Sequence, residues 1–188
     1  KEVIDVASTK WNFMKFYPGF VGGHCVAVDP LYLSFKQKQM KTSSFLITAA
    51  DKINQNKYFE ILDKLNLSFK NLKQKKILIL GFTFKENCPD LRNSGTLSLM
   101  EILYKKKIKF NIHDPFVKKE ELKKETKKDY NIMKNLKQSN YDCIIIAVGH
   151  AFYKKMGIKK IKKLSNKKDC LFFDLKSLFK KDKVDFQL

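Results

Sequence analysis

Apolar residues follow one period in the first part of the chain and another in the rest. From about residue 32 to 67 they recur at helical spacing, with Phe45, Ile47, Ala50, Ile53, Phe59, Ile61, Leu62 and Leu65 forming an apolar stripe. A polar stretch over 41–44 interrupts the stripe and predicts two helices rather than one. Residues 71–76 read as a polar linker. Beyond it come short unbroken apolar runs: 77–80 ending in Gly81, 108–112 ahead of His113, Asp114 and Pro115, 143–148 ahead of Gly149, and 171–173 ahead of Asp174. Such runs suit strands buried on both faces of a parallel sheet. Helical spacing returns between them at 96–105, at 118–124 with 131–138, and at 158–164. The expected fold is therefore α/β, with a helical segment over 1–70 and a doubly wound parallel sheet of the Rossmann-like kind over 71–188. Ligands of such a sheet bind at the carboxyl ends of the strands.

Two loops carry candidate chemistry. The stretch 16–30 sets Pro18, Gly19, Gly22 and Gly23 ahead of Cys25, with Asp29 following it. Glycines let the backbone turn tightly and approach a ligand, so the segment joins a nucleophile, a possible base and bare backbone. Cys25 in isolation would read as a buried structural thiol, the reading given to Cys143 and Cys170 within their strands. The surrounding glycines favour the nucleophile. Asp29, directly before Pro30, is equally an N-cap residue with proline at the first helical position, and both roles stay open. The second loop, 81–95, leaves the first strand and feeds a helix with Ser94 as its expected N-cap. Lys85 and Arg92 thus precede a helix N-terminus, a place suited to phosphate. The dinucleotide fingerprint GxGxxG is absent from the sequence.

Composition narrows the classes. Among 188 residues, 44% are hydrophobic and 16 are Phe, enough to fill a core. No apolar run approaches the roughly 20 residues needed to cross a bilayer. The beginning at Lys1 resembles no signal peptide, and the lack of an initiator Met implies a fragment. Cys25, Cys88, Cys143 and Cys170 are scattered without CxxC spacing or histidines at zinc-finger distance, so no metal site is expected and a reducing cytoplasm fits. The formal charge of +20 raises nucleic acid as a partner. Yet Arg92 is the only arginine, and nucleic-acid readers favour the bidentate guanidinium. The lysine runs fall where helices show their wet faces, as at 158–164. They read as a solvated surface that steers anionic ligands, with neither a nucleic acid nor a membrane as partner.

The residues of 18–30, from Pro18 through His24 and Cys25 to Asp29 and Pro30, followed by Gly81, Phe82, Thr83, Phe84 and Lys85 and then by Asp90, Leu91, Arg92, Asn93 and Ser94, resemble the nucleotide-sugar 6-dehydrogenases of the UDP-glucose/GDP-mannose dehydrogenase family. The resemblance runs over essentially the whole chain. Thr9 to Phe13 and Val21 to Cys25 look most like the branch that oxidises UDP-N-acetylhexosamines for surface polysaccharides.

That resemblance implies oxidation of the sugar's primary alcohol to a carboxylate with two NAD molecules in succession, through a cysteine thiohemiacetal and thioester. Cys25 matches the nucleophile and Asp29 the carboxylate that handles protons or the hydrolytic water. Phe16, Tyr17, Pro18, Gly19, Val21 and Gly22 match backbone that wraps the UDP-sugar. Phe84 and Lys85 match the anchor that reaches substrate from the sheet domain, Lys176 a position near substrate, and Arg92 a cofactor-side residue. His24 matches a position without a proton-transfer role, and Asp114 and Asp174 are expected to hold loops. The resemblance also implies a homodimer paired through the central helix. The family's amino-terminal dinucleotide-binding domain, and the helix segment that supplies a catalytic Lys and Asn, are not found in this sequence. The chain is therefore expected to be the carboxyl-terminal part of a dehydrogenase, inactive alone, or a non-catalytic UDP-sugar-binding or dimerisation remnant.

Overall fold

In a computed structural model describing residues 2–188, the chain forms seven α-helices and six β-strands. In chain order these are α1 (Glu2–Ala7), α2 (Asp29–Gln39), α3 (Phe45–Ser68), β1 (Lys76–Leu80), α4 (Gly95–Lys105), β2 (Lys109–His113), α5 (Lys119–Thr126), β3 (Ile132–Met133), β4 (Cys143–Ile146), α6 (Ala151–Met156), α7 (Ile158–Lys162), β5 (Leu171–Asp174) and β6 (Phe186–Gln187). The break between the two predicted helices falls where the polar stretch placed it.

The six strands run parallel in the order β3-β2-β1-β4-β5-β6. This is the doubly wound order of two mirrored halves. Its direction reverses between β1 and β4, where a crevice opens beyond the carboxyl ends of the strands. The apolar runs are continuous because both sheet faces are covered. Ile77 and Ile79 of β1 face a core shared with Leu99 and Leu103 of α4 and with Ile61 and Leu65 of α3. Leu78 and Leu80 face the opposite core, with Tyr153 of α6, Ile161 of α7 and Phe172 of β5. The only residues of α3 that are buried are Ile61, Leu62 and Leu65, which lie toward its carboxyl end. No residue of α2 is buried, and Phe35, Phe45 and Leu46 stand exposed.

Three local expectations need correction. The segment 131–138 is not helical: Ile132 and Met133 form an edge strand in register with Ile112 and His113 of β2. The spacing of Met133 and Leu136 serves instead to lean both side chains on the second core. Asp29 is the first residue of α2, and the N-cap is Val28, which has no side-chain oxygen to offer; the Cys25 carbonyl takes up the Val28 and Asp29 N–H groups. Cys170 directly precedes β5 and is half-buried, whereas Cys143 lies fully buried in β4 and its burial pushes the thiol well up. Strand β6 and helix α6 had no clear periodic signal.

Ile145, at the centre of β4 and 0% exposed, packs in the core beside α3 and α4. Its replacement by alanine is expected to cost about 2–5 kcal/mol, read as a lowered urea midpoint at unchanged slope.

Candidate functional site at the sheet's switch point

The loop leaving β1 crosses the crevice and carries most of the candidate residues. Its backbone is closed by the Phe84 N–H donating to the Asp90 carbonyl at 3.1 Å. Asn87 and Asn93 take the left-handed conformation at φ 55° and 49°, which asparagine tolerates better than most residues. Lys85 is exposed, with Nζ 5.2 Å from the centre of the Phe84 ring. Ser94 caps α4 as expected: its hydroxyl accepts from the Thr96 N–H and donates to the Phe82 carbonyl, tying the helix start to the strand end.

The Cys25 loop docks on this structure from 70 residues away. The Gly23 N–H donates to the Asn93 carbonyl at 3.2 Å, and the Asn93 side-chain amide donates back to the Gly23 carbonyl at 3.3 Å. The approach requires glycine. A Cβ on Gly22 would sit 2.6 Å from the Asn93 carbonyl oxygen, and Gly23, at φ +89°, would push one into the Phe84 ring at 2.9 Å. Cys25 follows directly and is exposed, as is Asp29, whose carboxylate accepts no hydrogen bond among the described residues.

Arg92 lies on the loop against which the Cys25 segment docks. The guanidinium lies on Asp90, with Nη2 at 2.6 Å from Oδ2 and Nε at 3.0 Å from Oδ1. That hydrogen bonding raises Arg92 above its ordinary value, and the nearby Cys25 sulfur adds in the same direction. The same pairing holds the Asp90 carboxyl down to about 2. His24 is exposed, with Nδ1 4.0 Å from Asp90.

On the other side of the crevice Lys176, from the loop after β5, bonds Glu86 at 2.9 Å, and its side chain lies against Gly19. Burial alone would raise the Glu86 carboxyl, but the Lys176 hydrogen bond and charge outweigh it and hold Glu86 below its ordinary value. Of the candidate residues, the structure packs Gly19 against Lys176, Gly22 against Asn93 and Phe84, and Lys85 over the Phe84 ring, with Cys25 on the docked loop beyond them. Phe16 and Tyr17 lie on the exposed approach strand and Pro18 is half-buried. Val21 instead helps line a separate cleft of about 760 Å³, with Val26, Ala27, Tyr58, Asn93 and Gly95, and Cys25 and Lys85 lie outside that lining. Asp174 holds a loop as expected, accepting from the N–H groups of Lys176 and Phe179.

Sequence reasoning passed over His150. It lies fully buried against Asp114 at 2.9 Å, beneath the Lys85 loop. The available signal was its position, just past a buried parallel strand and its glycine.

The description of the UDP binding domain of the UDP-glucose/GDP-mannose dehydrogenase family matches residues 78–181, and that of the family's central domain matches residues 1–56. The chain belongs to this family. It is 38% identical to the UDP-N-acetyl-D-glucosamine 6-dehydrogenase of Salmonella typhi over 99% of its own length and 44% of the relative's. Against Protein CapL of Staphylococcus aureus it is 35% identical, over 98% of this chain and 43% of that one. Its fold superposes on the UDP-D-ManNAc dehydrogenase of Pyrococcus horikoshii with a TM-score of 0.74 at 27% identity, covering 99% of this chain and 43% of the other. The chain thus spans under half the length of the relatives it matches. Lys85, Arg92 and Lys176 fall within the UDP-binding-domain match and Cys25 and Asp29 within the central-domain match. Among the described residues, no helix is long and apolar enough to cross a membrane.

The Asp90–Arg92 pair carries a pH prediction. A carboxyl lowered from 3.8 to about 2 contributes stability that is complete above its unfolded value and is lost as pH falls through about 2. Carboxyl ¹³C NMR should find Asp90 ionised down to that midpoint, and Arg92→Ala should return its titration toward 3.8.

Proposed function

We propose that this chain is the carboxyl-terminal part of an NAD-dependent UDP-sugar 6-dehydrogenase that converts the primary alcohol of a UDP-N-acetylhexosamine to a carboxylate. The supporting observation is the docking of the glycine loop on Asn93, which holds the exposed Cys25 beside the loop that carries Lys85 and Arg92. In this reading residues 1–70 belong to the central domain and 71–188 form the UDP-sugar-binding domain. The activity serves surface polysaccharide synthesis from the cytoplasm.

The chemistry assigned to the chain's own residues begins at the aldehyde stage. The Cys25 thiolate adds to the aldehyde carbon, and the oxygen takes up a proton to complete a thiohemiacetal. Loss of hydride from that carbon, with the hydroxyl proton passing to a base, leaves a thioester. Water then opens the thioester, releasing the carboxylate and restoring the thiol, and Asp29 is the carboxylate available to take the water's proton. Lys85 and Lys176 bind the anionic substrate, and the backbone from Phe16 to Gly22 wraps it. NAD supplies the hydride acceptor in each oxidation when bound. Arg92, an exposed guanidinium ahead of the α4 N-terminus, suits its pyrophosphate, while the dinucleotide's main cradle requires a glycine fingerprint that these 188 residues do not contain. The exposed Phe35, Phe45 and Leu46 support burial of α2 and α3 against the rest of the enzyme and a second copy in a homodimer.

In the complete enzyme, Cys25→Ser is expected to lower carboxylate formation by at least about a hundredfold while UDP-sugar still protects the protein thermally. Full activity in that variant overturns the dehydrogenase reading; thermal protection without any activity in the unmutated enzyme favours a non-catalytic binding protein. Lys85→Ala should raise the substrate KM by about tenfold, the worth of one charge-assisted hydrogen bond.

A further inference from the structure

The side chains of His150 and Asp114 are both 0% exposed, and they meet at the carboxyl ends of β4 and β2, flanking the end of β1. Their hydrogen bonds converge on one loop. Asp114 Oδ2 accepts from the Phe82 N–H at 2.6 Å, the Thr83 N–H at 3.1 Å and His150 Nε2 at 2.9 Å, and Oδ1 accepts from the Phe116 N–H at 2.8 Å. On the other edge of the imidazole, Nδ1 accepts from the Asn87 N–H at 2.9 Å. An accepting Nδ1 puts the ring proton on Nε2, where it donates to Asp114. The Thr83 hydroxyl, 3.2 Å from His150 Nε2, donates to the Lys85 carbonyl at 2.9 Å. Asn87 in turn accepts from the Ala151 N–H through its side-chain oxygen at 2.9 Å, fastening the loop to the start of α6.

Both ends of the segment 82–87 are thus tied to one buried pair: Phe82 and Thr83 through Asp114, Asn87 through His150. Phe84, Lys85 and Glu86 are the residues left between the ties: Phe84 lies half-buried with its ring against Gly23, Glu86 bonds Lys176, and Lys85 is exposed. Burial alone would raise the Asp114 carboxyl, yet the His150 hydrogen bond and the backbone N–H groups outweigh it and hold it below the ordinary range, so it remains an acceptor. Without His150 the Asn87 N–H loses its acceptor, and without Asp114 the Phe82, Thr83 and Phe116 N–H groups lose theirs, so removal of either residue frees one end of the loop.

We propose that His150 and Asp114 are positioning residues for substrate binding, which hold the Lys85 loop at the height needed to anchor the UDP-sugar. The inference rests on the UDP-sugar reading of the site. Lys85 is a long side chain with four rotatable bonds, and the entropy of aiming it is smaller when the backbone beneath it does not move. The imidazole is suited to the task because a single planar ring presents an acceptor to Asn87 and a donor to Asp114 on opposite edges. Asparagine reproduces the acceptor at the Nδ1 position, and glutamine reproduces the donor at the Nε2 position.

Calorimetric titration of the complete enzyme with UDP-N-acetylglucosamine tests the proposal. His150→Ala and Lys85→Ala should each weaken binding by about tenfold, whereas His150→Asn should stay within about threefold of the unmutated enzyme. In a Lys85→Ala background the His150→Ala change should add less than about twofold, because the histidine acts only through the lysine. Hydrogen exchange should show the Asn87 amide deprotected in His150→Ala while the amides of Ile77 to Leu80 stay protected. If His150→Ala does not fold, His150→Gln, which keeps the donor to Asp114 and withdraws the acceptor from Asn87, carries the same expectation. Unchanged binding in a folded His150→Ala or His150→Gln, or full additivity with Lys85→Ala, overturns the positioning role and leaves the UDP-sugar reading standing. Absence of binding by the unmutated enzyme overturns both.

Discussion

One carboxylate, that of Asp114, organises the end of the sheet on which the site is built. It gathers the Phe82 and Thr83 N–H groups beyond β1, the turn after β2 and the imidazole that follows β4. These are the strand ends that flank the switch point, where the chain leaves the sheet in opposite directions and cannot bond to itself. Backbone groups at such a place are cut off from both the ladder and water, and each must find a partner or cost free energy. A buried carboxylate with four acceptor sites meets that need compactly. The crevice shape, the course of the Lys85 loop and the cap of α4 all follow from how those groups are satisfied.

The second constraint is steric. The Cys25 loop reaches the sheet domain only because Gly22 and Gly23 let its backbone lie against Asn93 and Phe84 without side chains between them. The pairing is two hydrogen bonds wide, which is little to hold a loop from so far along the chain. Additional contacts from Phe20 against Tyr58, and from Gly19 against Lys176, spread the docking over α3 and the loop after β5. Cys25 sits just past the pinned glycines and remains exposed.

Charge plays a different part in the two regions. Most of the lysine excess decorates helices and turns, where pairs such as Lys119 with Asp129 are exposed and contribute little. The contacts at the crevice are fewer and more specific: the ion pairs of Arg92 with Asp90 and Lys176 with Glu86, and the hydrogen bond of His150 to Asp114. The Lys176–Glu86 and His150–Asp114 contacts join loops that follow different strands and brace the sheet's carboxyl end, whereas Arg92 and Asp90 clasp within the single loop after β1. The sole arginine lies in this group, where a planar guanidinium can grip a carboxylate with two nitrogens.

The sequence by itself determined the parallel sheet, the two long helices, the cap at Ser94 and the glycine-lined cysteine, because each of these is written locally: as unbroken apolar runs, as helical spacing, as a serine before a helix, or as backbone freedom around a thiol. It also singled out Lys85 and Arg92 by their place between a strand end and a helix N-terminus, whereas Lys176 came from the family resemblance alone. Only the tertiary structure decided the rest. Periodicity reports which residues are buried and not which distant groups they meet, so the docking of Gly23 on Asn93 and the union of His150 with Asp114 were invisible along the chain. The edge strand β3 was misread for the same reason, since Ile132 and Met133 gain their extended form from pairing with β2 and not from their own spacing. Helix α6 begins where Asn87, 64 residues earlier, caps it. Hydrogen-bond partners across such separations are set by topology, and the topology exists only once the sheet has formed.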